Sequence, residues 1–389
     1  MKKRILVIFH DAASLSGASM SMLSSLQEMA NHSRFDWFCM LPEHNEVIED
    51  RLRESNITPV VFSYWTSVYR RGSVADTLRS FAKCCVKELL NTIAVHKLRR
   101  FIAENKITLV YTNTSVITVG ARAASRSKVP HIWHIREFCE EDHHLHFLLG
   151  RKWFYRIASQ SARIIVISRA LAKKYQQHIS EDKIRVVYND IPLVSTEMQL
   201  HSIRYPLRIL VTGSIQPGKR QMDVISAAKI LKQRGIAFHI SFAGKIQDQD
   251  YARKVRQLIA DSRLSESVTF LGLVKDMDTI RAENDIAVVP SECEAFGRVT
   301  IEALLAGMLV IASDTGANPE LIKDKSTGFL FRCGDSAGLA DILTSLSETS
   351  DKSQLDTLIG RGYESALRFT GENSGKNINL IVSSVLDGE

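Results

Sequence analysis

The chain has 389 residues, of which 45% are hydrophobic and 24% are charged. This length predicts two domains that each bury a core, and the composition excludes a disordered chain, a collagen or a coiled coil. Apolar runs end after about six or seven residues, whereas a helix that spans a membrane needs about 20. The basic start leads into an apolar run over residues 5–9 that is too short for a signal peptide. We therefore expect a cytoplasmic protein.

The positive charge is concentrated in the first half of the chain. The net charge is +7, and residues 1–200 carry 28 Lys and Arg against 19 Asp and Glu, whereas the remainder carries 22 against 24. This asymmetry predicts that the first half meets an anionic partner.

Metal and disulfide sites are not expected. The six cysteines are irregularly spaced and form no CxxC pair, which favours reduced and mostly buried thiols. His143, His144 and His146 form a loose cluster, but their spacing lacks the helical geometry of a metal site and favours a polar loop.

Short apolar segments alternate with helical patterns along the chain. Predicted strands cover residues 4–10, 35–41, 59–62, 107–112, 131–134 and 163–167, and then 207–212, 237–243, 268–271, 285–290, 309–312 and 328–331. This alternation predicts parallel sheets covered by helices on both faces. The fold class is therefore α/β, with two Rossmann-like doubly wound domains facing a cleft.

The predicted domains are separated by a polar linker over residues 190–205. The first domain covers residues 1–195, the second covers residues 206–370, and a last helical segment covers residues 371–389. Ligands are expected at the carboxyl ends of the strands.

The most informative segment, residues 285–307, reads DIAVVPSECEAFGRVTIEALLAG and predicts a strand, a loop and a helix. The free N–H groups and the dipole of the helix start favour an anion, and Gly297 lets a ligand approach the backbone. Glu294 and Glu302 can each accept hydrogen bonds from a pair of hydroxyls. Either carboxylate alone is more typical of a solvated surface residue. Together with the flanking sequence they indicate a nucleotide-sugar site.

The surrounding stretch resembles a known family. Residues 290–331 read PSECEAFGRVTIEALLAGMLVIASDTGANPELIKDKSTGFLF, which is similar to the E-x7-E region of the retaining glycosyltransferases of family 4, with the GT-B fold. The resemblance covers both domains and is weaker in the first. It implies that the first domain binds the acceptor, that the second binds the donor, and that the helix over residues 371–389 crosses back to the first domain. It implies sugar transfer from a nucleotide donor with retention of anomeric configuration, without a metal or a cofactor. It also implies that Glu294 contacts sugar hydroxyls and that Glu302 contacts the ribose.

The resemblance extends to the loops that would hold the donor diphosphate. It assigns this role to the backbone around Ala295, Phe296, Gly297 and Arg298, and to the loop over residues 213–220, which is similar to the family pattern G-R-x(4)-K-G. There Gly213 and Lys219 match the pattern, whereas Ser214 replaces its arginine and Arg220 its final glycine. Our hypothesis is that Arg220 or Arg298 restores the missing charge. The alternative is a surface turn with a solvated lysine.

The first domain carries weaker signals. Gly17 lies in a turn after the first strand that resembles the family's glycine loop against donor phosphates and acceptor. His134, at a strand end, resembles the histidine that the family places near the reacting carbon, and it could bond a sugar hydroxyl or carry a proton. His131 is the competing candidate, and a packed strand-end histidine is the alternative.

Three further residues are candidates for acceptor contacts. Asn113 ends a strand, and Arg136 and Glu137 follow the strand of His134. The alternatives are that Asn113 caps the next helix and that Arg136 and Glu137 form an ion pair.

The segment 69–100 is basic and contains apolar residues at helical spacing. It fits a helix lying on an anionic membrane surface or, equally, a helix that packs on the core with a solvated face. The basic residues lack interleaved aromatics and a known motif, so nucleic acid is not an expected partner.

The resemblance implies a retaining, metal-independent glycosyltransferase, with His134, Glu294 and Lys219 as the expected catalytic residues. From the habits of the family we expect a UDP-sugar rather than a GDP-sugar as the donor. The same habits favour a glycan or lipid-linked acceptor in bacterial cell-envelope polysaccharide synthesis, at the inner face of the membrane. The alternatives are a nucleotide-sugar epimerase or hydrolase with the same fold, and a non-catalytic nucleotide-sugar-binding protein. No G-x-G-x-x-G follows the first strand, which argues against a dinucleotide enzyme.

Overall fold

A computed structural model describes residues 2–12, 17–31, 34–192, 201–349, 352–371 and 373–388, without the side chains of 17–20 and 143. The chain forms two compact units. Unit 1 contains Met1–Asp190 and Glu372–Glu389, and unit 2 contains Ile191–Gly371. The division between them therefore falls at residues 190/191 and 371/372.

Unit 1 is built on a seven-stranded parallel sheet with the order β3-β2-β1-β5-β6-β8-β9. Its strands are β1 (Arg4–Ile8), β2 (Asp36–Leu41), β3 (Ile57–Val61), β5 (Leu109–Asn113), β6 (His131–Ile135), β8 (Arg163–Val166) and β9 (Ile184–Val186). A separate antiparallel pair joins β4 (Val68–Arg70) and β7 (Leu145–Phe147).

Helices cover the sheet of unit 1. They are α1 (Gly17–Asn31), α2 (Glu46–Glu54), α3 (Val74–Glu104), α4 (Val119–Ser127), α5 (Glu140–His143), α6 (Arg151–Ala158), α7 (Arg169–Gln176) and the last helix, α15 (Ser374–Asp387). Helix α15 packs on α1, where Ile378 and Val382 enter the same core as Leu26. Ser25 and Ser374 share a hydrogen bond of 2.8 Å between their hydroxyls, so the end of the chain belongs to the first unit.

Unit 2 is built on a six-stranded parallel sheet with the order β12-β11-β10-β13-β14-β15. Its strands are β10 (Leu207–Thr212), β11 (Phe238–Ala243), β12 (Val268–Gly272), β13 (Ile286–Val289), β14 (Leu309–Ser313) and β15 (Phe329–Phe331). Its helices are α8 (Gln221–Gln233), α9 (Gln249–Asp261), α10 (Met277–Glu283), α11 (Arg298–Leu305), α12 (Asn318–Leu321), α13 (Ser336–Glu348) and α14 (Lys352–Ala366).

In both sheets the strand order reverses at the centre. Unit 1 adds strands outward from β1 to β3 and then returns to place β5 beside β1, and unit 2 does the same with β10 and β13. Where the order reverses, the loops at the carboxyl ends of the two central strands diverge and leave a crevice for ligands. Asn113 ends β5, and the loops that carry Lys219 and Glu294 follow β10 and β13. The candidate residues therefore lie beside the two reversals.

The α/β prediction with two Rossmann-like domains is confirmed. Each predicted strand is present, with ends shifted by up to two residues. The strands β4, β7 and β9 were not predicted, because each has only three residues and one of the three is Arg or His, whereas the equally short β15 is entirely apolar.

The packing of unit 2 yields a first prediction. Asp285 precedes β13 with a fully buried side chain, and its carboxylate accepts hydrogen bonds from Arg204 (2.9 Å) and Arg208 (3.0 Å). Asp285→Asn should remove the charged hydrogen bonds to two partly exposed guanidinium groups, at a cost of about 2 kcal/mol. We expect calorimetry of the full chain to show a melting temperature lowered by roughly 4–8 °C.

Asp341 supplies a matched control, because it forms an exposed pair with Arg234 at 2.7 Å. Asp341→Asn should cost less than about 1 kcal/mol. Equal shifts for the two variants would contradict the structural role assigned to Asp285.

Candidate active site

The loops after β10 and β13 meet through an ion pair. Lys219 Nζ lies 2.5 Å from Glu294 Oε1, and both side chains are largely shielded from solvent. Lys219 ends a short 3₁₀ turn, and the amide of Glu292 donates to the carbonyl of Gly218 at 2.9 Å, which ties the two loops together. The structure thus joins the two predicted catalytic residues of the second domain at the reversal of its sheet.

Two glycines allow the backbone around Glu294 to pack closely. Gly316 has φ 57°, and a Cβ atom there would lie 2.4 Å from the backbone of Glu294. Gly297 has φ 79° and precedes α11, where a Cβ atom would lie 2.6 Å from the side chain of Leu321. Both positions require glycine, and together they fix the main chain that carries Glu294.

The start of α11 is a suitable anion site. Gly297 provides no side-chain cap, and Ile301 is the first residue whose amide donates to a carbonyl of the preceding turn, that of Gly297 at 3.1 Å. The preceding amides have no acceptor within the helix and, with the helix dipole, favour a negative group. Phe296 is buried and packs edge-on against Phe369, so its phenyl ring belongs to the packed interior of unit 2. Ala295 lies between Glu294 and Phe296.

Glu302 lies between two arginines. Its Oε2 is 2.5 Å from Arg281 Nη2, and its Oε1 is 2.7 Å from Arg298 Nε. Arg281 also pairs with Asp278 at 2.9 Å and is only 11% exposed. A carboxylate has about four lone-pair positions, so two remain for a ligand. Arg281 was not predicted, because it lies on α10, outside any recognised motif.

The proposed replacements for the missing arginine are both engaged elsewhere. Arg220 Nε donates to Asp223 Oδ2 at 2.6 Å, and Arg298 pairs with Glu302. The hydroxyl of Ser214 accepts a hydrogen bond from Gln216 at 3.0 Å. Like Lys219, which contacts Glu294, both arginines are held by a carboxylate before any ligand binds, and the hypothesis that Arg220 or Arg298 restores the missing charge stays a prediction.

In unit 1, Arg136 connects the ends of neighbouring strands. Its Nε donates to Asn113 Oδ1 at 2.7 Å, and its Nη1 donates to Asn189 Oδ1 at 2.7 Å. Arg136 is 5% exposed, and burial lowers the pKa of its guanidinium to about 10. Glu137 faces elsewhere and accepts hydrogen bonds from the amide (2.5 Å) and hydroxyl (2.6 Å) of Ser115. Arg136 and Glu137 thus have different partners, and Asn189 is a contact that the sequence did not reveal.

The structure separates the two candidate histidines. His131 begins β6, away from the carboxyl edge, and both of its nitrogens have partners at 2.8 Å, the hydroxyls of Thr112 and Ser161. His134 lies near the end of β6, where its Nδ1 shares a 2.6 Å hydrogen bond with Tyr111 and its buried Nε2 has no partner. Burial, with Arg136 nearby, holds the pKa of His134 well below its ordinary value. A neutral imidazole at the strand end fits a hydrogen-bonding role.

The remaining candidates are less defined. Gly17 begins α1, but the turn before it, residues 13–16, lies outside the described part of the chain. His146 Nδ1 lies 3.2 Å from Glu140 Oε1. Within the described residues, no three His, Cys, Asp or Glu side chains are arranged to hold a metal ion.

Two family models match the chain. The glycosyl transferases group 1 model matches residues 201–361, and the glycosyltransferase family 4 model matches residues 50–193. Together they cover most of both units. The chain belongs to the family 4 glycosyltransferases with the GT-B fold.

Curated relatives match part of the chain. It is 30% identical over 190 residues to the putative glycosyltransferase EpsD of Bacillus subtilis, covering 48% of each. It is 30% identical over 209 residues to the amylovoran biosynthesis glycosyltransferase AmsK of Erwinia amylovora, covering 51% of this chain and 50% of AmsK. The chain spans about half the length of the curated relatives that it matches.

Solved structures share the whole fold. The structure of Anabaena HepE in complex with UDP superimposes with a TM-score of 0.74 at 20% identity, covering 100% of both chains. At this identity the similarity concerns the fold. No helix in the described part of the chain combines the length and the apolar character needed to cross a membrane.

The buried histidines predict a loss of stability in acid. Burial lowers the pKa of His131 to about 3, whereas an unfolded histidine titrates near 6.5. Between these values the unfolded chain binds a proton that the native chain does not, so the free energy of unfolding falls as the pH drops below about 6.5. His131→Gln should reduce the loss between pH 7 and pH 5 by about 2 kcal/mol, measured as melting temperature against pH.

His178→Gln is the matched control, because His178 is exposed and stacks on Tyr155. It should leave the pH dependence unchanged. If His131→Gln has the same acid sensitivity as the wild type, His131 does not stay neutral in the folded protein.

Proposed function

We propose that this protein is a retaining glycosyltransferase that transfers a sugar from a UDP-sugar to a glycan or lipid-linked acceptor in bacterial cell-envelope polysaccharide synthesis. The observation that carries the proposal is the contact of Lys219 with Glu294 beside the start of α11. This arrangement combines a cation, free amides and a carboxylate at the reversal of the sheet. The names of AmsK, a biosynthetic glycosyltransferase, and of HepE, solved with UDP, agree with the proposal.

Each of the candidate residues and loops of unit 2 has a role in the proposed reaction. The diphosphate binds the amides at the start of α11 and Lys219, the ribose binds Glu302, and the sugar hydroxyls bind Glu294. As the bond between the anomeric carbon and the diphosphate breaks, negative charge grows on the leaving oxygen. Lys219 and the helix start stabilise that charge, which lets the transfer proceed without a metal.

The acceptor reacts on the face from which the diphosphate leaves. Its hydroxyl oxygen bonds to the anomeric carbon, and its proton passes to an oxygen of the departing diphosphate. His134 contributes a neutral imidazole whose Nε2 is available to a hydroxyl. Asn113, Arg136 and Glu137 hold the acceptor or the side chains around it.

Nucleotide binding tests the donor site. UDP, GDP, ADP and CMP are compared by thermal shift with the wild type and with Glu302→Ala. A nucleotide at 100 times its dissociation constant should stabilise the wild type by about 2.7 kcal/mol. We expect UDP to give the largest shift, and Glu302→Ala to weaken its binding by about tenfold or more, because charged hydrogen bonds contribute roughly 1.5–3 kcal/mol.

Glu266→Ala is the control, since Glu266 is exposed on a turn of unit 2. It should bind UDP like the wild type. The absence of a shift with any nucleotide would contradict the donor assignment. Analysis of products from UDP-sugars then tests transfer itself: free sugar or an epimer in place of a glycosylated acceptor would contradict the transferase assignment, and an inverted linkage would contradict retention.

We further propose that α3 docks on an anionic membrane surface. One face of α3 is buried on unit 1 through Cys84, Val95 and Leu98. Apolar residues on its other side are exposed, and the largest exposed fractions belong to Val74 (80%) and Leu89 (72%). Leu78, Phe81, Val86 and Ile93 are exposed as well. This exposure argues against the core-packing alternative for these residues.

Basic residues flank the exposed apolar face of α3. Arg79, Lys83 and Lys87 recur every four residues and therefore form a line along the helix. A helix with an apolar face and a basic flank is attracted to anionic headgroups while its apolar side chains enter the boundary of the acyl chains. This position would bring the enzyme to lipid-linked acceptors.

Vesicle co-sedimentation tests this surface. The protein should bind vesicles containing phosphatidylglycerol more tightly than vesicles of phosphatidylcholine, and binding should weaken with salt. The double substitution Leu78→Ser and Leu89→Ser should weaken binding at least about tenfold, because a buried leucine contributes roughly 1.5–3 kcal/mol. Leu273→Ser is the control, since Leu273 is 77% exposed in unit 2. Undiminished binding of the double variant would contradict docking through α3.

A further inference from the structure

Unpartnered polar atoms gather at the carboxyl edge of the sheet in unit 1. Buried polar atoms in folded proteins nearly always have a hydrogen-bond partner. Four that have none in the described residues are His10 Nδ1, Asn113 Nδ2, Thr114 Oγ1 and His134 Nε2. They follow or end β1, β5 and β6, where the order of the sheet reverses. Asn113, Thr114 and His134 are each at most 2% exposed.

A buried cation lies among these atoms. The guanidinium of Arg136 contacts neutral groups: Asn113 Oδ1 and Asn189 Oδ1 at 2.7 Å, Ser21 Oγ at 3.2 Å and Met22 Sδ at 3.6 Å. Within the described chain no carboxylate lies at ion-pair distance from the guanidinium, although the charge of the neighbouring Glu137, whose Oε1 accepts from Ser115, raises the pKa of Arg136 against the effect of burial. A buried guanidinium without a directly paired carboxylate is poorly compensated for its lost hydration, so an anion from outside that bonded to it would be favoured.

The cluster is compact, and Arg136 is common to its parts. Arg136 is bonded directly to Asn113, whose Nδ2 is the free donor. Burial, and then the charge of Arg136, lowers the pKa of His134. At His10 burial lowers the pKa, the carboxylate of Asp11 raises it and Arg136 lowers it, so both histidines feel the charge of Arg136. His10 is only partly buried, so the cluster reaches the surface of unit 1 at the end of β1.

The chemistry of the cluster selects an anion with several oxygens. Arg136 offers charged N–H groups, Asn113 offers an amide N–H, and neutral histidines can donate from one nitrogen. Guanidinium groups bind phosphate through paired hydrogen bonds. We infer that Arg136, Asn113, His10 and His134 bind a phosphate group carried by the acceptor. This inference rests on the proposed function, in which unit 1 holds the acceptor.

The test uses a substitution that supplies the missing anion internally. Asn113→Asp places a carboxylate beside Arg136, so the folded state should be as stable as the wild type or more stable. The same carboxylate should repel phosphate. We expect inorganic phosphate to raise the melting temperature of the UDP-saturated wild type, and Asn113→Asp to weaken phosphate binding at least tenfold. Saturation with UDP keeps phosphate out of the donor site.

Asn373→Asp is the matched control, because it makes the same charge change at an exposed position before α15. It should bind phosphate like the wild type. Equal phosphate binding by the wild type, Asn113→Asp and Asn373→Asp would overturn the inference. A larger rise in the melting temperature with acetate or malonate than with phosphate would also overturn it. If UDP itself does not bind, the proposed function fails, whereas the comparison of Asn113→Asp with Asn373→Asp still reports on the phosphate site.

The source of the phosphate is tested with two probes. Glucose 1-phosphate represents an acceptor sugar phosphate, and a short-chain phosphatidic acid in detergent represents a lipid phosphate. Binding of either probe, lost in Asn113→Asp and retained in Asn373→Asp, supports the inference and identifies the source. Binding of inorganic phosphate without binding of either ester would overturn an acceptor role.

Discussion

The functional features of both units depend on the reversal of strand order at the centre of a parallel sheet. Parallel strands must be joined by crossovers, so the chain builds one side of the sheet and then returns to the middle. In unit 2 this return places the loop of Glu294 beside the loop of Lys219, although 75 residues separate them in the chain. In unit 1 it places Asn113 next to the end of β1. Neither group of residues would come together if the strands had a different order.

The two units use charge in different ways. In unit 2 the candidate carboxylates are matched by cations, since Glu294 contacts Lys219 and Glu302 contacts two arginines. These pairs hold the side chains in place before a ligand binds. In unit 1 the buried Arg136 has only neutral contacts in the described chain, and the basic flank of α3 faces solvent. The positive excess of the first half therefore includes cations that pair with no carboxylate in the described chain.

The sequence predicted the strands well, because a parallel strand buried on both faces is a continuous apolar run. It singled out the loops proposed to bind the donor because their residues are adjacent in the chain, as in the segment from Glu294 to Glu302, and their role stays a prediction. It did not reveal that Arg281 contacts Glu302 or that Asn189 contacts Arg136, because in each case the two residues lie far apart in the chain. It also left His131 and His134 as competing candidates. The two lie three residues apart on one strand, and the sequence does not show which of their ring nitrogens have hydrogen-bond partners.

The sequence alone determined the fold class and the family resemblance and singled out the candidate residues of the proposed donor loops, because these depend on local patterns of burial and spacing. The tertiary structure decided which groups meet: Lys219 with Glu294, Arg281 with Glu302, and Arg136 with Asn113. It also decided that much of the apolar surface of α3 faces solvent. The physical reason is that contacts between distant segments depend on strand order and helix packing, which no local pattern of residues specifies.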